Sequence, residues 1–142
     1  MLKIAYSIIP PSLNAVYKVN YKTKAFYMDS KAKAFKEGFI KHVTKEYLKD
    51  IHTFDTTKVY RAEYLFHYLR EEIINEKFGK DKRVKSLYKT IDLDNSIKLL
   101  QDSVSAAFGF NDSHIFEFTA KKLISNSRKI EIILCPLEVE NI

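Results

Sequence analysis

The chain has 142 residues, 46% of them hydrophobic, and a net charge of +6. That suits one folded domain spanning residues 1–142 and excludes a disordered or collagen-like polymer. No apolar run approaches the roughly 20 residues of a membrane helix, the start of the chain lacks a signal-peptide core, and Cys135 stands alone, so an internal disulfide and a Cys-rich zinc site are excluded and a cytoplasmic protein is expected.

Charge is unevenly spread. Residues 1–49 carry 10 Lys+Arg against 3 Asp+Glu, residues 50–91 carry 9 against 7, and residues 92–142 carry 5 against 8. A basic body with an acidic cluster is what a metal-dependent nuclease requires, although ordinary surface charge gives the same sums.

In chain order, Leu2 to Ile9 reads as a strand ended by Pro10-Pro11, which cannot continue a ladder. Residues 15–20 and 24–28 suggest a short hairpin or an ordered loop. Asp29 or Ser30 is an N-cap candidate. From Lys31, apolar residues at Phe35, Phe39, Ile40, Val43 and Tyr47 fall at helical spacing, which predicts a helix over 31–49. Thr56 to Leu69 is rich in β-branched and aromatic residues and reads as a strand. Glu71 to Glu76 suggests a helical turn, and Gly79 to Lys85 a polar, basic loop. Asn95 to Phe108 predicts a second helix with Gly109 as its C′ stop. Ile115 to Leu123 and Lys129 to Leu134 read as strands joined by a turn around Ser125-Asn126-Ser127, and Cys135 as a buried, inert thiol. The order predicts an α/β (α+β) fold with a single-layer mixed sheet and two main helices.

The chemistry concentrates in Asp92-Leu93-Asp94-Asn95-Ser96-Ile97-Lys98, Asp102 and Asn111-Asp112. In extended backbone Asp92 and Asp94 point to one side, so both can reach one hard cation. The same pair also suits a helix start, with Asp94 as the cap and Asp92 on the helix dipole. Lys98 can hold a phosphate beside those carboxylates or form an i,i+4 ion pair with Asp94 or Asp102. Asp112 is either a third carboxylate or a turn residue.

The ordered set Ile9-Pro10-Pro11-Ser12-Leu13-Asn14, Asp92-Leu93-Asp94-Asn95, Lys98, Asp102, Gly109 and Asp112 resembles the RusA family of Holliday junction resolvases over nearly the whole chain. The resemblance implies a homodimer that binds four-way DNA and makes paired symmetric nicks with 5′-phosphate and 3′-hydroxyl ends. Its cofactor would be Mg²⁺, with Mn²⁺ as a substitute, and no organic cofactor or membrane would take part. Asp92, Asp94 and Asp112 would be the metal-binding catalytic carboxylates and Lys98 the essential lysine. Asn95 belongs to the same motif, and Asp102 matches a recurrent position that supports the helix. Many members carry Asp-Asp where this chain has Asn111-Asp112; Asn111 still offers a carbonyl oxygen.

For DNA binding the candidates are Lys80, Lys82, Arg83, Lys85 and Lys89, which lead into the acidic motif, and Lys18, Lys22 and Lys24, which alternate with aromatics. Tyr17 and Tyr21 could stack bases or pack in the core. Lys31, Lys33, Lys36, Lys41 and Lys45 read as a solvated helix face or a phosphate-binding one. Asn14 could reach substrate or belong to a simple turn, and His114 could approach Asp112 or serve packing. The competing functions are a non-catalytic branched-DNA-binding protein, a Mg²⁺ nuclease with another nucleic-acid substrate, and an interaction module whose acidic motif only caps a helix.

Overall fold

The computed structural model describes residues 1–12, 17–91 and 93–139. Four strands form a mixed sheet in the order β1-β6-β4-β5: β1 Leu2–Tyr6, β4 Val59–Tyr68, β5 Ile115–Ile124 and β6 Lys129–Leu137. β4 pairs parallel with β5 and antiparallel with β6, and β6 pairs antiparallel with β1. A separate hairpin joins β2 Tyr17–Asn20 and β3 Ala25–Met28. The long helices are α1 Ser30–Glu46 and α4 Leu93–Phe108, accompanied by short α2 Leu48–Thr53 and α3 Arg70–Ile73. The expected mixed sheet with two main helices is present.

The sheet buries one face. Along β4, Tyr60, Ala62, Tyr64, Phe66 and Tyr68 are buried and the residues between them are not. This period of two marks a sheet covered on one side. Ile4, Ile130, Ile132 and Leu134 join the same core as Phe35, Phe39 and Val43 of α1 and Leu99, Leu100 and Val104 of α4. Among the described residues no helix is long and apolar enough to cross a membrane.

Several boundaries differ from expectation. The first strand stops at Tyr6, short of Ile9. The single helix over 31–49 is broken at Tyr47, whose backbone (φ −126°, ψ 30°) ends α1. Its hydroxyl accepts the Ala5 amide at 3.0 Å, while His42 Nε2 lies 2.9 Å from the Ala5 carbonyl oxygen. These two side chains occupy the Ala5 backbone groups on the free edge of β1, an edge that would otherwise invite another strand. β5 and β6 are consecutive in sequence but not neighbours, because β4 lies between them. The connection crosses the end of β4, where the Ser125 amide donates to the Tyr68 carbonyl at 2.8 Å. Cys135 is half-buried rather than buried, on the sheet face opposite the one that carries Ile130, Ile132 and Leu134 into the core.

Asp29 is the α1 cap, its Oδ1 accepting the amides of Lys31 at 2.9 Å and Ala32 at 3.4 Å. Gly109 stops α4 as expected, at φ +72°, a conformation that costs glycine little.

Candidate active site

The acidic motif sits on the solvent side of α4. Its inner face carries Ser96, Ile97, Leu99, Leu100, Ser103, Val104 and Phe108 in the core. That packing turns Asp94 and Lys98 outward, with Gln101 and Asp102 half-buried beside them. α4 begins at Leu93, so Asp94 lies inside the first turn and is not the cap. The extended-backbone argument for pairing it with Asp92 therefore does not apply to Asp94. Asp92 itself lies outside the described residues, as does Asn14. The start of α4 is fixed from two sides. Ser96 Oγ donates to the Pro10 carbonyl at 3.5 Å, tying the Pro-Pro segment to the helix. Lys122 Nζ of β5 donates to the Ile91 carbonyl at 3.1 Å.

Asp112 arrives from the other end of α4. After the Gly109 stop, Phe110 stacks into a ring cluster with Phe54, Tyr60 and Phe108, with centroids 4.8–6.0 Å apart. This cluster pins the segment that opens a 3₁₀ turn at Asp112–His114. Asn111 caps that turn, its Oδ1 accepting the Ser113 amide at 2.9 Å. The oxygen held in reserve for a cation is thus engaged, and Asn performs this capping as well as Asp. His114 is also committed, with Nδ1 2.9 Å from the Lys58 carbonyl oxygen.

Asp94, Ile97, Lys98, Gln101, Asp112, Ser113 and Phe118 line one open cleft of about 590 Å³. An adjoining hollow of about 300 Å³ is lined by Asp112, Asp102, Asn111, Lys36 and Tyr17, among others. Among the described residues Asp94, Asp102, Asp112 and Lys98 have no ion-pair partner within 4 Å, so neither i,i+4 pair of Lys98 forms. Partial burial first, and then the charge of Asp112, raise the Asp102 carboxyl above the ordinary range despite Lys36 and Lys98 nearby. Beneath the cleft lies Tyr64, fully buried, its ring 6.1 Å from that of Phe118. Its hydroxyl has no hydrogen-bond partner among the described residues. Burial, then the field of Asp112, push that hydroxyl's pKa well above the ordinary value.

The site is therefore an all-oxygen donor set with surplus negative charge, which suits a hard divalent cation. Among the described residues no three acidic, His or Cys side chains group closely enough to hold a metal; two of the three expected carboxylates, Asp94 and Asp112, share the cleft. Asn95 stands on the first turn of α4, half-buried. Lys36, grouped by sequence with the other α1 lysines, faces the acidic residues. Phe118, Lys122 and Tyr64 had no local signal, because β5 and β4 bring them to the site only through long-range pairing.

The basic candidates separate into free and engaged groups. Arg83 donates to Asp81 at 3.0 and 3.2 Å, and Lys89 Nζ to the Glu71 carbonyl at 2.5 Å. Lys80, Lys82 and Lys85 surround a concavity beside Phe78 and Val84. Lys18 is held by Asp29 at 2.7 Å, so it serves the fold. Lys22 and Lys24 lie exposed in the hairpin turn. Tyr17 and Tyr21 are not core residues; they are 50% and 92% exposed.

A model of the endodeoxyribonuclease RusA family matches residues 9–134. No curated protein matches the chain significantly.

Proposed function

The chain belongs to the RusA family of endodeoxyribonucleases, whose activity is the resolution of Holliday junctions, and from that premise we propose that the cleft between α4 and the Asp112 turn is the site of phosphodiester cleavage. The observation that carries this reading is the convergence of Asp94, Lys98 and Asp112 on one cleft with none of them neutralised by a neighbour among the described residues.

Asp94 and Asp112, together with Asp92, would hold Mg²⁺, or Mn²⁺ in its place. Bound there, the cation supplies positive charge to a phosphate oxygen and lowers the pKa of water. The chain's own residues do the rest. Lys98 sits one helical turn beyond Asp94, and its ammonium, without an ion-pair partner among the described residues, binds a non-bridging phosphate oxygen and offsets the charge that grows during attack. Asn111 and the ring cluster hold Asp112 in place, and Ser96 and Lys122 hold the start of α4, so the carboxylates need not reorganise. Cleavage leaves a 5′-phosphate and a 3′-hydroxyl.

Each site makes one nick. Two symmetric nicks call for two sites related by a two-fold axis, and so for a homodimer. Lys80, Lys82 and Lys85, free of ion pairs among the described residues and next in sequence before the acidic motif, track the DNA backbone. Binding should therefore weaken steeply with salt.

Titration calorimetry with Mn²⁺ tests the site without DNA. The unmodified chain should bind the cation, and Asp94→Asn and Asp112→Asn should each weaken binding. Absence of binding by the unmodified chain, or full retention by both variants, would overturn this assignment.

A further inference from the structure

The β2–β3 hairpin presents an apolar face to solvent. Tyr17 pairs with Met28 and Val19 with Phe26, and alternate residues share a side, so these four lie on one face. Phe26 is 77% exposed, and Tyr21, in the turn, 92%. A lone two-stranded hairpin is marginal in water. This one is tethered at its root: Lys18 pairs at 2.7 Å with Asp29, the cap of α1. The root also reaches the hollow beside the acidic cleft, which Tyr17 lines with Asp102 and Asp112.

Charge indicates what covers this face. Residues 17–28 hold three lysines and no acidic residue, and the whole chain is +6. Two such hairpins repel one another. A polyanion that also offers flat apolar surfaces complements both features, and bases on a phosphate backbone are such a surface. In a continuous duplex those surfaces are already stacked on each other; at a branch point some are free.

We propose that the hairpin stacks on unpaired bases at the branch point of the DNA junction, with Tyr21 and Phe26 as platforms and Lys22 and Lys24 on the flanking phosphates. The proposal rests on the nuclease reading of the cleft, and gives it a means of telling a junction from a duplex: Tyr17 connects the platform to the carboxylates, so a strand opened at the branch lies beside them.

The test uses the full chain without divalent cation, a four-way junction carrying 2-aminopurine at the branch point, and a linear duplex of the same sequence. The unmodified chain should change the 2-aminopurine emission on binding. The double variant Tyr21→Ala, Phe26→Ala should abolish that change and weaken junction binding by roughly tenfold or more, leaving duplex binding and the melting temperature nearly unaltered. Phe26→Trp should retain the signal. Equal losses on junction and duplex would overturn the proposal. So would sedimentation showing that the double variant converts a dimer to a monomer, since a second copy would then cover the face. If the unmodified chain binds no junction at low salt, the nuclease reading fails and this proposal with it. A chain that binds the junction with no change in 2-aminopurine emission overturns the stacking alone.

Discussion

Asp94 and Asp112 line one cleft from two different elements, the first turn of α4 and the 3₁₀ turn that leads into β5. α4 runs as a rigid spacer between them, and the Gly109 stop with the Phe54, Tyr60, Phe108 and Phe110 rings fixes where the chain turns back. Both carboxylates thus face the same open cleft, and several consequences can be measured.

Lys98 lines the cleft and makes no ion pair among the described residues. Lys98→Met should lower single-turnover junction cleavage by about 10²–10³-fold, the range for losing one preorganised donor. Its stability, read by thermal melting, should change by less than about 0.5 kcal/mol, as for an ordinary surface substitution.

Asp102 carries a charge that partial burial and Asp112 both disfavour. Asp102→Asn should therefore raise the melting temperature measured without divalent cation. A lower melting temperature would show that Asp102 makes a stabilising contact as a carboxylate.

Glu131 governs part of the acid stability. Its carboxylate lies 2.6 Å from His67 Nε2 and 3.2 Å from Lys3 Nζ. Partial burial pushes its pKa up, but the hydrogen bonds and charges of Lys3 and His67 outweigh that and hold it below the ordinary value of 4.5. A lowered folded pKa gives stability that is present above the unfolded pKa and is lost as pH falls through the folded one. Glu131→Gln should thus reduce stability at neutral pH and flatten its decline below about pH 4.5, the unfolded-state range. Chemical denaturation at a series of pH values reads both effects.

Gly38 sits inside α1, where alanine would normally stabilise a helix by about 1 kcal/mol. Here an added Cβ would stand 2.9 Å from the Tyr6 hydroxyl. Tyr6 cannot easily yield, because its ring contacts Phe39 at 5.5 Å and His42 at 4.8 Å. Gly38→Ala should lower the melting temperature, and adding Tyr6→Phe should recover part of the loss.

Local signals in the sequence gave sound guidance where local forces decide. The Asp29 cap, the spacing of Phe35, Phe39 and Val43, and the Gly109 stop all act within a few residues. The helix break at Tyr47 was not legible, since its partner is the Ala5 amide on a distant strand. Nor was the placement of β4 between β5 and β6, because a short turn between two strands reads as a hairpin. In the candidate site, the motif and its resemblance single out Asp94, Lys98 and Asp112, which line one cleft. The commitment of Lys18 to Asp29, the capping role of Asn111 and the burial of Tyr64 beneath the cleft depend on packing that no window of sequence contains.

Whether this cleft cuts DNA is read most directly from cleavage of an immobile four-way junction and a matched linear duplex by the unmodified chain and by Asp94→Asn and Asp112→Asn, with and without Mg²⁺. Paired symmetric nicks should appear in the junction alone, depend on Mg²⁺ and be lost in both variants. Cleavage that persists in both variants, or that proceeds equally without Mg²⁺, would show that the Asp94–Asp112 cleft is not a metal-dependent catalytic centre.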